Sequence, residues 1–301
     1  MKKRFLLSII TLLLISALFA ETNSEQFWNL WNEKKLDEAT EFLAKWEKAN
    51  KKDPELYVCY FNLYITKAKT EQIHAESSLP ENYDGKYMEG QNEDGDTIYI
   101  YSVVEYDKEL CAKAFEYIDK GLTYNPKRLD MHFGKAHLYF TLGEYNKQAE
   151  VIKNIFKLNK KYKNSWLWKN NETIKSAKVG FGESIHEYIL KWYNTKDTST
   201  YPLMKEISLL YVEQYPDEAI AYNDAAVSCI FMNDLKTAKT YLQKGYELNP
   251  SDMLLLSNLA RICYNLGEKE NAKKYYQILA ESEDPDNSNY AKEMLKNYFN
   301  E

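Results

Sequence analysis

The side chains most able to do covalent or metal chemistry here are four histidines and four cysteines, and their spacing supports neither. His132 and His137 are five residues apart, which on a helix places them on different faces. His74 and His186 fall within ordinary helical patterns. Cys59, Cys111, Cys229 and Cys263 form no CxxC pair and no zinc-ligand spacing, so they read as small core residues. Asn92, Asp94 and Asp96 loosely resemble the start of a calcium loop. Val103 stands where such a loop needs its bidentate glutamate, which favours a solvated turn. There is no nucleophile elbow, GxGxxG, phosphate loop or HExxH. The expectation is a protein that is not an enzyme and holds no cofactor and no metal.

If the residues do not catalyse, they must bind, and the ends and composition bound what. Met1-Lys2-Lys3-Arg4 is followed by an apolar run from Phe5 to Ala20 and then by polar Glu21-Thr22-Asn23-Ser24. That order predicts a secretory signal peptide, residues 1–20, and a mature chain that is periplasmic or secreted. The run is shorter than the roughly 20 residues a membrane-spanning helix needs, and no later segment is apolar enough to span. The 39 basic side chains less Lys2, Lys3 and Arg4 leave 36 against 45 acidic ones, a net charge of −9. Such a surface disfavours nucleic acid. With only 10 Gly and 7 Pro, the chain is expected to be helical with short turns.

The elements that would position a binding surface are announced by a repeat. Pro216 and Pro250 are 34 residues apart. Tyr222, Ala225, Ala226 and Cys229 form a stripe on one helical face, and Leu256, Leu259, Ala260 and Cys263 repeat it in phase. Ala238, Tyr241 and Leu242 recur as Ala272, Tyr275 and Tyr276. Upstream, Lys120-Gly121 through Asn125-Pro126 parallels Lys244-Gly245 through Asn249-Pro250, and Leu142-Gly143-Glu144 parallels Leu266-Gly267-Glu268. A period of 34 is that of a helix–turn–helix solenoid.

These segments resemble tetratricopeptide repeats, well over 216–281, fairly over 107–160, and weakly over 25–54 and 182–215. Cys229 and Cys263 take a slot that is usually aromatic, Gly245 and Leu279 replace a late small Ala, and Ala149 sits one residue late. The resemblance implies an all-α, right-handed superhelical solenoid of helix–turn–helix repeats that binds a protein or peptide. It implies a groove lined by first-helix residues: Phe133, His137 and Phe140, then Asn223, Val227, Ile230 and Phe231, then Ser257, Arg261, Tyr264 and Asn265. Asn223 and Ser257 stand where chaperone-binding members carry the first lysine of a clamp, so chaperone-tail binding is not implied.

Along the chain, residues 21–301 read as one solenoid. A first pair covers about 25–50. A second runs from Asp53-Pro54 to about His74 and resumes at 107–124. Between its helices lies an insertion, 76–104, in which Lys86-Tyr87-Met88 and Thr97–Val104 predict a β-hairpin. A third pair covers 127–160, and 161–182 is irregular, with a break at Gly180-Phe181-Gly182. Further pairs cover 183–215, 217–249 and 251–281, and a polar capping helix covers 287–299. The hairpin is a second candidate surface, able to add a strand to a partner's sheet in an assembly.

Overall fold

Short polar residues open most of the helices in the computed structural model, which describes residues 21–80, 83, 85–174 and 177–300. The expected signal peptide, residues 1–20, lies outside them. Thr22 and Glu25 cap the first helix reciprocally: the Glu25 amide donates to Thr22 Oγ1 at 3.2 Å and the Thr22 amide to Glu25 Oε2 at 2.7 Å. The described residues divide into two compact units. One runs to Lys135 and regains Leu167–Glu172; the other comprises Ala136–Trp166 and the chain from Thr173 onward.

The first unit holds helices α1 (Asn23–Asn32), α2 (Leu36–Ala49), α3 (Pro54–Ala68) and α4 (Lys108–Tyr124), and the start of α5 (Leu129–Thr141). Its core includes Phe27, Leu43, Trp46, Leu56, Tyr57 and Ile118. Helices α3 and α4 pack closely because Gly121 lets them: a Cβ there would lie 2.6 Å from Tyr57 Cβ and 3.3 Å from Met131 Sδ. A Cβ on the matching Gly245 of the second unit would meet a flexible Leu255 methyl at 2.9 Å and the Ala219 carbonyl oxygen at 3.2 Å, neither as close as Tyr57 Cβ is to Gly121. Gly121→Ala is therefore expected to cost about 1–3 kcal/mol from overpacking, in spite of the gain of about 1 kcal/mol in helix propensity. Gly245→Ala should cost less. The urea midpoints of the two variants check the order.

The insertion is larger than the expected hairpin. Strands β1 (Lys69–Glu76), β2 (Tyr87–Gln91) and β3 (Thr97–Tyr106) form an antiparallel sheet in the order β1-β3-β2. The helix expected to reach His74 stops at Ala68. Lys, Glu and Gln favour helix in β1, but pairing along the whole strand, from Lys69 opposite Tyr106 to Glu76 opposite Tyr99, outweighs that preference. His74 consequently stacks on Tyr101, ring centroids 5.5 Å apart. In the β2–β3 turn, Asn92 Oδ1 accepts hydrogen bonds from the amides of Asp94 (3.1 Å) and Asp96 (2.8 Å), and Gly95 supplies φ +85°.

The second unit continues α5 and adds α6 (Tyr145–Tyr162), α7 (Ala177–Thr195), α8 (Tyr201–Gln214), α9 (Ala219–Phe231), α10 (Leu235–Leu248), α11 (Met253–Asn265), α12 (Lys269–Ala280) and α13 (Pro285–Phe299). From α7 onward each helix packs on the next, and α7 also touches α9. The two stripes read in the sequence are buried, with Ala226, Cys229, Leu259 and Cys263 in one core alongside Ala238, Leu242 and Ala272. Gly143 and Gly267, at φ +70° and +77°, end α5 and α11; Asn233, at +57°, does so after α9. All four cysteines are buried free thiols, and burial pushes the Cys263 thiol up to about 11. The expected break at Gly180-Phe181-Gly182 is instead helix. Phe181 is fully buried and Gly182 receives the Tyr211 hydroxyl, so the glycine here serves close packing and not a turn. The irregular stretch accordingly shortens, since α6 reaches Tyr162 and α7 begins at Ala177.

Candidate functional site

Three first helices of the second unit, α7, α9 and α11, are joined by a seam of polar side chains. Asn223 and Asp224 are neighbours on α9 and reach in opposite directions. The Asp224 carboxylate takes His186 Nδ1 of α7 at 2.9 and 3.2 Å. Asn223 Oδ1 accepts from Asn258 Nδ2 of α11 at 3.0 Å, and Asn258 Oδ1 accepts from Arg261 Nη2 at 3.1 Å. The middle of the seam is buried, Asp224 at 3% exposure and Asn223 at 5%. Its ends are open: the His186 side chain is 32% exposed and Arg261 lies on the surface.

The electrostatics follow from that burial. A carboxylate out of water is costly unless it is paired and hydrogen-bonded. Burial pushes the Asp224 carboxyl up, and the His186 hydrogen bond opposes the push. The same bond raises His186 above its ordinary value of 6.5, against its own partial burial. The seam thus presents at its open ends the Arg261 guanidinium and the His186 imidazole, each fastened to a less exposed polar residue. Among the described residues no three His, Cys, Asp or Glu side chains are grouped to hold a metal ion.

Of the residues expected in a groove, the structure brings Asn223 and Arg261 into this seam. Asn265, one turn past Arg261, is exposed, while Ser257 and Val227 are half-buried. Ile230 packs on the core of the unit. Phe231 sits between Tyr193 (5.3 Å) and Tyr201 (4.7 Å), and Tyr264 stacks on Tyr298 of α13 at 3.9 Å. His137 is exposed, and Phe140 is half-buried against Tyr145 at 5.7 Å. Phe133 is buried in the first unit, edge-on to Trp168. Sequence reading missed His186, Asp224 and Asn258. The 34-residue period sets Ser257, not Asn258, against Asn223, and His186 and Asp224 are 38 residues apart, outside the period.

Residues 219–252 and 255–281 match the family described as tetratricopeptide repeat. No curated protein matches the chain. Among solved structures it is similar to Pseudomonas aeruginosa pilF, at 17% identity over 63% of this chain and 84% of that one, TM-score 0.37. It is similar to PilW, a widely conserved type IV pilus biogenesis factor, at 12% identity over 89% and 96%, TM-score 0.38. It is also similar to YrrB, a tetratricopeptide protein with an unusual peptide-binding site, at 15% identity over 76% and 86%, TM-score 0.35. The repeat match coincides with the stripes buried between α9 and α12, so residues 219–281 of this chain are tetratricopeptide repeats.

Proposed function

We propose that the chain is a non-enzymatic scaffold of the bacterial cell envelope that holds a protein or peptide partner on the first-helix face of its second unit. The observation that carries this reading is the seam itself. Asn223, Asn258 and Arg261 form a hydrogen-bonded series that ends in an exposed guanidinium, a group suited to a partner's carboxylate. Placement in the envelope rests on the basic and apolar character of residues 1–20. The absence, among the described residues, of a helix long and apolar enough to cross a membrane is compatible with that placement.

The test is an affinity pull-down from bacterial envelope extract with wild type and with Arg261→Glu plus Asn265→Ala. Tyr264 is left intact because its ring packs on α13. The double variant should melt with wild type and lose the partner. Equal recovery by both baits would rule the face out.

A second reading concerns the sheet. By register and alternation Ile73, Met88, Ile98, Ile100 and Val104 share one face, and Ile73 is 79% and Met88 65% exposed. An apolar face left open beside a free strand edge suits strand addition in an assembly. Ile73→Asp plus Met88→Asp as a third bait separates the two: partner loss by this variant alone favours the sheet.

A further inference from the structure

The seam has an end that the peptide-binding reading does not use. His186 is turned so that Nδ1 faces the Asp224 carboxylate, and Nε2, across the ring, has no partner among the described residues. An aspartate buried almost completely is held by a histidine that is one-third open to solvent. The carboxylate fixes the ring's orientation and makes Nδ1 the bonded nitrogen, which leaves Nε2 to face outward. With the imidazolium present, Nε2–H is a charged donor. With the neutral ring bonded to Asp224 through Nδ1–H, Nε2 carries no hydrogen and can only accept.

We infer that His186 is a partner-contacting donor on this face, oriented by Asp224, and that it makes the binding of a carboxylate-bearing peptide depend on pH, tight in acid and weak in base. This rests on the first-helix face being the binding surface. The titratable groups near the pair are Glu187 on α7, which acts on His186, and Tyr211 on α8, which senses Asp224 together with Glu183, Tyr215 and Glu218. Glu183 and Glu187 are exposed, so salt screens them, and neither shares the directed geometry of the ring nitrogen. The sign is fixed by the raised histidine. The charged donor is fully present below 6.5 and is lost as pH rises through a higher value. Asp and Glu side chains of a peptide stay ionised throughout that window, so the slope reports the protein.

The full chain can be tested with a phage-displayed library of random peptides selected near pH 6, followed by affinity measurements from about pH 6 to about pH 8.5. The selected peptides should be rich in Asp and Glu, and wild-type affinity should fall roughly tenfold across the range, the loss of one charge-assisted hydrogen bond. His186→Gln, at a half-open site, should bind weakly with a flat profile. Asp224→Asn keeps an acceptor for Nδ1–H but removes the charge, so its midpoint should move to lower pH, both in binding and in the NMR titration of the His186 ring. A purely structural pair would change melting and move the midpoint of the ring titration while leaving the pH profile of binding in place. An unaltered pH profile in His186→Gln, or selected peptides without acidic enrichment, overturns the inference; in that case Arg261→Glu still abolishes binding if the face reading holds. Equal binding by wild type and Arg261→Glu, or a selection that enriches nothing, overturns both.

Discussion

Arg128→Met is expected to destabilise the first unit by about 3–5 kcal/mol, the usual cost of breaking a buried ion pair from one side. Arg128 is fully buried. Its Nε and Nη2 donate to Asp130 Oδ1 and Oδ2 at 2.9 and 2.8 Å, and Nη1 lies 2.7 Å from Glu55 Oε1. Glu55 also accepts the amide of Asn170 at 2.7 Å, while Leu167 bonds to Lys127 and Leu129 through the backbone. The guanidinium therefore ties the start of α3 and the start of α5 to the returning segment 167–172. Removing it strands two poorly solvated carboxylates. The check is hydrogen exchange of α3 amides, because a global melt can blur two units. Arg128→Met with Glu55→Gln and Asp130→Asn should recover much of the loss, since no charge is then left without a partner.

Trp192→Ala is expected to cost the second unit a similar amount, about 3–5 kcal/mol. The indole is fully buried and donates through Nε1 to Gln148 Oε1, itself buried, at 2.8 Å. Trp192→Phe separates the two contributions. It keeps most of the volume but orphans the amide oxygen, for about 1–3 kcal/mol. Trp192→Phe with Gln148→Leu should then be more stable than Trp192→Phe alone, because both polar partners are gone together. Urea midpoints, with the slope unchanged, read out the series.

Much of the helical framework was legible because the period is a property of burial. The stripes through Cys229 and Cys263 recur every 34 residues since each must face the same kind of neighbour, and both are buried as the spacing requires. What was illegible depends on partners distant in sequence. Lys69–Glu76 has the composition of a helix and becomes a strand only because β3 lies beside it. Gly180 and Gly182 look like punctuation until Tyr211 is seen packed against Gly182. The site divides in the same way. Arg261 and Asn223 fall on the repeat and could be found by counting. His186 and Asp224 face each other across two helices whose offset departs from the repeat, and no spacing rule finds them.

The sheet enters and leaves the helical framework at one place. Lys69 pairs directly with Tyr106, and the Asp107 amide bonds to the Ala68 carbonyl at 2.9 Å. The whole excursion therefore closes on itself, and to α3 and α4 it presents two chain ends about 5 Å apart, a gap that a tight turn could also bridge. Its length and sequence are consequently decoupled from the helix pair that carries it. The junction is a natural socket: a lineage could exchange, enlarge or delete the module there, and an engineer could graft a foreign loop, without re-registering the helices on either side.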